Sequence, residues 1–172
     1  MITRFCIRNF KRLTSAELEL GTAAVFIGPN NSGKTTALQA LALWDIGWRR
    51  WAEKRDRSSA SERQGVTINR RDLNAIPVPN ARLLWNDLRP FAHEKKTEGN
   101  SKKIRLQSRP VRLEAEGIDG GIAWRCVLDF FLANDESLYC HLVEGDAEGE
   151  VPAAARKHAV VFLPPMSGLA ER

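Results

Sequence analysis

Residues Gly28 to Thr35 read G-P-N-N-S-G-K-T and stand between an apolar run, Ala23-Ala24-Val25-Phe26-Ile27, and a helical pattern that begins at Lys34. No other stretch constrains the fold as tightly. A loop of this composition turns backbone N–H groups inward around closely spaced anionic oxygens, which demands unusual φ/ψ values and close approach, and Gly28 and Gly33 supply both. The helix that follows aims its free N–H groups and the positive end of its dipole at the same point, so an anion is favoured there before any side chain is counted. Lys34 is then positioned to reach the β- and γ-phosphates of a nucleoside triphosphate, the Thr35 hydroxyl to ligate Mg²⁺, and Thr36 to bond the α-phosphate. Pro29, Asn30, Asn31 and Ser32 complete the cradle.

A chain of 172 residues is long enough for one α/β domain with a proper core. Gln39, Asp45 and Asp129 break the longest apolar stretches well short of a bilayer, so no membrane span is expected. Met1-Ile2-Thr3-Arg4-Phe5 lacks the basic-then-apolar order of a secretory signal, which makes a cytoplasmic location the expectation. Cys6, Cys126 and Cys140 fall in apolar or alternating runs without C-x-x-C spacing and read as buried thiols. His93, His141 and His158 are too scattered for a structural zinc site.

The net charge of +5 suits association with nucleic acid without demanding it. Its distribution is uneven. Arg49, Arg50, Lys54, Arg55, Arg57 and Arg63 form one basic stretch, and Lys95, Lys96, Lys102, Lys103, Arg105 and Arg109 another. Both also hold acids and small polar residues, so each reads either as a solvated surface or as a contact to a phosphate backbone.

Residues 1 to 10 and Glu17-Leu18-Glu19-Leu20 alternate as two strands of a hairpin, and residues 23 to 27 read as a third strand, buried on both faces, that delivers the loop. From Lys34 to about Lys54 the spacing of Leu38, Leu41, Trp44, Trp48 and Trp51 gives a long helix with one apolar face. That face needs a partner, either the core of this chain or a surface outside it. Residues 55 to 65 read as loop, Ala81 to Leu88 as a short helix and residues 92 to 109 as a disordered segment. After Val111 the alternation over Val111–Glu116, Ile122–Leu132 and Ser137–Val143, with Asp119-Gly120-Gly121 and Asn134-Asp135-Glu136 between, predicts an antiparallel meander. Ala159-Val160-Val161-Phe162-Leu163 reads as a final buried strand ended by Pro164-Pro165.

The opening I-x-x-F-x-I-x-N-F-K-x-L, the segment V-x-x-I-G-P-N-N-S-G-K-T-T and the late V-V-F-L-P-P-M-S-G-L together resemble the N-terminal part of an ABC-type ATPase head. The similar groups are the RecF, SMC and OLD-like proteins of the AAA-family ATPases. The resemblance implies an α/β P-loop NTPase lobe with N-terminal strands, a Walker A strand-loop-helix and an antiparallel β meander. It implies ATP and Mg²⁺ as ligands, DNA as the partner of the parent protein, and a head-to-head homodimer. It also implies that Lys11 and Arg12, just after the N-F pair, approach the nucleotide. Related heads carry a Gln after the strand that corresponds to 159–163; here Ser167 is the nearest polar residue.

On this reading residues 1–172 are one partial ATPase-head lobe, comprising N-terminal strands, loop and first helix (1–55), a loop-rich insert (56–110) and antiparallel strands with a final core strand (111–172). The signature motif, the Walker B strand with its hydrolytic Glu and the switch His are not found in the chain, so it is expected to bind ATP and to need a missing C-terminal half for turnover. Cys126-Val127-Leu128-Asp129 imitates a Walker B strand, but Phe130 stands where the Glu is required. Two other readings compete: a complete small phosphotransferase or NTPase in which Asp129 serves Mg²⁺, and a non-catalytic DNA- or protein-binding module using the basic stretches and the Trp face.

Overall fold

The computed structural model describes residues 1–57, 65–73, 75–98, 101–146 and 150–161. Strands β1 (Ile2–Phe10) and β2 (Leu13–Glu19) form the expected hairpin. Phe10 pairs with Leu13, so Lys11 and Arg12 alone make the turn, with Lys11 at a φ of +48°. That conformation is unfavourable for a lysine. It is held from outside: the Lys11 N–H donates to the Leu84 carbonyl at 2.8 Å, and Asn86 Nδ2 donates to the Lys11 carbonyl at 2.7 Å.

Helix α1 (Lys34–Arg57) follows the glycine-bearing loop, and strand β3 (Val66–Asn69) comes next. Two 3-10 turns, Ala81–Leu84 and Asn86–Leu88, then lead to strands β4 (Phe91–Glu98) and β5 (Ser101–Ser108), which pair only with each other. Strands β6 (Val111–Asp119), β7 (Ile122–Asn134) and β8 (Ser137–Glu144) are the predicted meander, and a short helix α2 (Ala153–Arg156) follows. Gly120 and Gly121, at φ of +58° and +83°, form the two-residue β6–β7 turn, where positive φ at both positions matches the twist of the flanking strands. The main sheet runs β2-β1-β6-β7-β8-β3 with every pairing antiparallel, giving a mixed α/β chain.

Helix α1 lies across one face of this sheet. Phe5, Ile7, Leu113, Ala115, Trp124, Cys126, Leu128 and Phe130 are buried there with Ala40, Leu43, Trp44, Trp48 and Trp51 of the helix. Trp44 meets Phe5 edge-on and stacks on Trp124, each at 6.5 Å between ring centroids. Gly47 lets the helix come close, since a Cβ there would stand 2.7 Å from Phe130 Cζ and 2.9 Å from Leu128 Cδ1. The Trp face therefore packs into the core of this chain. The apolar stripe is rotated from the predicted one: Leu38 is 43 % exposed, and the small residues Ala37 and Ala40 take the inner positions. The three cysteines are buried free thiols, as expected, and burial pushes that of Cys126 up to about 12.

The other face of the sheet is charged. Arg4 bonds Glu17 and Glu116, Arg125 reaches Glu114 at 2.8 Å, and Arg112 takes both carboxylate oxygens of Asp129 at 2.7 Å each. Successive strand residues point to opposite faces, so Asp129, between the helix-facing Leu128 and Phe130, points away from α1.

Five expectations are corrected or fall outside the described residues. Residues 23 to 27 are not a buried strand: they pair with no described strand, and Val25 and Ile27 are 82 % and 91 % exposed. No described strand supplies the segment with a ladder, so its backbone polar groups are left to water. The region expected to be disordered carries the β4–β5 ribbon, and Ala81–Leu88 is two 3-10 turns separated at Trp85. Residues 159–161 have no regular structure, while Phe162, Leu163, Ser167 and the P-P-M-S-G-L segment lie outside the described residues, as does most of the 55–65 loop.

Candidate nucleotide site

The β1–β2 turn and the loop before α1 meet at the N-terminus of α1. Gly33 sits at a φ of +101°, and a Cβ there would come within 3.1 Å of Leu13 Cδ2, so only glycine lets the loop close onto β2. Asn31 takes the left-handed conformation that its residue type tolerates, with φ of +67°. At Gly28 a Cβ would come within 3.0 Å of Ser32 Oγ. The turn is closed by Ser32 N–H donating to the Pro29 carbonyl at 3.3 Å, and the helix by Ala37 N–H donating to the Gly33 carbonyl at 2.9 Å.

The result is an open cleft of about 270 Å³ lined by Arg12 and by the residues from Asn30 through Thr36. Pockets that enclose a whole small ligand run to about 300–1,000 Å³, so this one fits a polyphosphate with the nucleoside outside. Its lining is rich in donors: backbone N–H groups of the first helical turn, the Thr35 and Thr36 hydroxyls, the Lys34 ammonium and the Arg12 guanidinium stand beside the Asn30 and Asn31 amides and the Ser32 hydroxyl. The first turn of α1 holds no acid. A pocket of donors and positive charge with no carboxylate in its lining recognises an anion.

Lys34 Nζ donates to the Gly28 and Pro29 carbonyls, both at 2.7 Å, and approaches Ser32 Oγ at 3.3 Å. Two of its three protons thus brace the loop, and the third has only the longest contact. Arg12 Nη1 bonds Asn31 Oδ1 across the mouth of the cleft. Lys11, expected beside Arg12, is not in the lining: its Nζ bonds Gln39 Oε1 at 2.7 Å on the second turn of α1, and burial lowers its pKa. The residues that reasoning from sequence missed are the supports. Leu13 packs under Gly33, and Gln39, Asn86 and Leu84 fix the Lys11–Arg12 turn. Only the Leu13 position, which closes the N-F-K-R-L run, carried a signal.

A Mg²⁺ ion fits the chemistry of the cleft through Thr35, an exposed residue of its lining, with the remaining oxygens supplied by phosphate and water. Asp129 is tied to Arg112 on the far side of the sheet, and the pair holds the Arg112 guanidinium more firmly protonated than usual. Asp129→Asn is therefore expected to lower the melting temperature while keeping triphosphate affinity within about twofold of wild type, as sites without shared partners act independently. A Mg²⁺-dependent drop in affinity would return Asp129 to the site.

A glycine-braced loop that caps a helix with donors around a polyphosphate-sized cleft defines a P-loop nucleotide-binding site. Residues 1–49, which hold the β1–β2 hairpin, the loop and the first two thirds of α1, match the family described as an AAA ATPase domain. The chain is also similar to an OLD nuclease of Thermus scotoductus, at 42 % identity over 43 residues. That match covers 25 % of this chain and 8 % of the relative. The N-terminal region is thus that of an AAA/OLD-like ATPase. No solved structure matches the chain. Among the described residues no helix is long and apolar enough to cross a membrane.

Proposed function

We propose that this chain is the ATP–Mg²⁺-binding lobe of a RecF/OLD-like ABC-type ATPase that acts on DNA, in genome maintenance or phage defence, in the cytoplasm. The observation that carries the reading is the carboxylate-free, donor-rich cleft at the head of α1, with Lys34 already bent over the loop. Gly28 through Thr36 hold the phosphates, Lys34 contributes its third proton to the β- and γ-oxygens, and Arg12 gives up Asn31 to meet the triphosphate. Thr35 holds Mg²⁺, which neutralises charge on the β- and γ-phosphates when bound. Lys11 acts one step back, by keeping the turn against Gln39.

Hydrolysis requires a group that orients or activates water, and among the described residues the cleft lining holds no carboxylate, histidine or glutamine. On this reading residues 1–172 are one partial lobe, and the signature motif, Walker B acid and switch His come from a C-terminal half and from a second head in a head-to-head dimer. The exposed Val25 and Ile27 support it, because the segment that leads into the loop has the composition of a central strand and lacks neighbours to pair with among the described residues. The nuclease named among the relatives supports DNA as the substrate of the parent protein.

The test is titration of the chain with a fluorescent ATP analogue and Mg²⁺, with phosphate release followed in parallel. Saturable binding displaced by ATP but not by AMP, with release at background, is the expected result. Absence of saturable binding would refute the nucleotide site, and steady turnover by this chain alone would refute the need for a second half.

A further inference from the structure

We propose that Asn86 is a positioning residue for the nucleotide cleft: from the second 3-10 turn it sets the backbone of the β1–β2 turn so that Arg12 is aimed at the triphosphate. The proposal rests on, and deepens, the reading of the cleft as a triphosphate site, which then depends on a residue far outside the loop.

Backbone strain gathers around one junction. Among the described residues the non-glycine positions with positive φ are Asn9, Lys11, Asn31, Asp87 and Leu88. Asn31 bonds Arg12 across the mouth of the cleft, and the other four lie where the β1–β2 turn meets residues 84–88. A left-handed backbone is tolerated by asparagine and aspartate but is unfavourable for Lys11 and Leu88. Such strain persists only where the surroundings over-determine it, and it clusters at binding sites. In the two-residue turn itself Lys11 has the positive φ, at a first position that ordinarily takes glycine. With lysine there, the turn keeps its shape only while it is clamped from outside.

Asn86 is that clamp. Its side chain is buried, its Nδ2 donates to the Lys11 carbonyl at 2.7 Å, and its Oδ1 accepts from Thr14 Oγ1 at 3.3 Å. The Lys11 carbonyl and the Arg12 N–H belong to one planar peptide unit, so the first bond fixes the plane on which Arg12 is mounted. One amide thus grips the turn immediately before Arg12 and again two residues after it. Neighbouring contacts hold Asn86 in place: the Lys11 N–H donates to the Leu84 carbonyl at 2.8 Å, and Phe10 bridges to Trp85, whose buried indole donates to the Arg109 carbonyl at 2.7 Å. Arg12, by contrast, is exposed, and among the described residues its guanidinium bonds Asn31 alone. Its direction is therefore set by the turn and by one bond that a bound triphosphate displaces.

The test is a double-mutant cycle on the full chain, read as affinity for a fluorescent ATP analogue with Mg²⁺ at a temperature where melting curves show every variant folded. Asn86→Ala is expected to weaken binding by about five- to tenfold, because the charge-assisted bond from Arg12 is misplaced. Arg12→Ala should weaken it by a similar factor. The double variant should bind within about twofold of Arg12→Ala, since residues that act through one contact do not add. An Asn86 that merely stabilises the fold predicts additive losses instead. Asn86→Asp keeps the shape and the bond from Thr14 but turns an oxygen toward the Lys11 carbonyl, so it should lose affinity as Asn86→Ala does, and it replaces the alanine variant in the cycle where alanine leaves the chain unfolded. Wild-type affinity in the Asn86 variants, or additive losses in the cycle, would overturn the proposal and leave the nucleotide site standing. No saturable binding by the wild type would overturn the nucleotide reading and this inference with it.

Discussion

Replacing Lys34 by alanine lowers the affinity of the chain for Mg²⁺–ATP by about ten- to a hundredfold while shifting the melting temperature little. The ammonium is held over the loop by two 2.7 Å bonds to the Gly28 and Pro29 carbonyls, and its weakest contact, 3.3 Å to Ser32 Oγ, is the one a phosphate oxygen displaces. A hydrogen bond to a charged group contributes about 1.5–3 kcal/mol. At about 1.4 kcal/mol per factor of ten, its loss gives the stated range. The loop is exposed and Lys34 makes no core contact, so the fold does not depend on it. Lys34→Arg is expected to fall nearly as far, because a planar fork on a longer stem cannot satisfy both loop carbonyls and the phosphate. Anisotropy titrations of the variants beside wild type measure this. Undiminished binding by Lys34→Ala would mean that the loop does not cradle phosphate, and the functional reading would go with it.

The parts of the fold legible in the sequence are those set by local chemistry. Gly28 and Gly33 announce a loop that must bend sharply, and the structure gives each of them a neighbour that a Cβ would crowd. The Gly120-Gly121 turn and the period-two alternation after Val111 likewise fix the meander by themselves. Misjudged elements depend on partners distant in sequence or absent from the chain. Ala23–Ile27 has the composition of a central strand, yet composition cannot supply the neighbouring strands, and without them the segment stays unpaired and exposed. Residues 92–109 are so rich in lysine that they read as disordered, because register, which pairs Phe91 with Ser108 and Glu98 with Ser101, is invisible in composition. In the cleft, the loop motif named Asn30 through Thr36 and the resemblance named Lys11 and Arg12; the structure places Arg12 in the lining and turns Lys11 to Gln39. The direction of a side chain at a positive φ is fixed by the bonds from Leu84 and Asn86, more than seventy residues downstream.

Trp44→Ala is expected to cost more stability than any other single truncation on α1. Its side chain is fully buried, it joins Phe5 of β1 to Trp124 of β7, and its Nε1 reaches the Cys126 carbonyl at 3.4 Å. Removing a buried indole costs about 3–5 kcal/mol through lost transfer energy and the cavity left behind. In a chain of this length that corresponds to a fall in melting temperature of roughly 10 °C. Trp48 provides the contrast. Its Nε1 is buried with no partner among the described residues, so Trp48→Phe discards an unsatisfied donor along with some area and should cost far less than Trp44→Ala. Because Trp44 fixes α1 against the sheet three turns below the loop, its loss loosens the cradle without touching it. Triphosphate affinity should therefore drop less than in Lys34→Ala while thermal stability drops much more. Scanning calorimetry and titration on the same variants separate the two effects. A Trp44→Ala chain that melts like wild type would show that the helix owes its position on the sheet to other contacts.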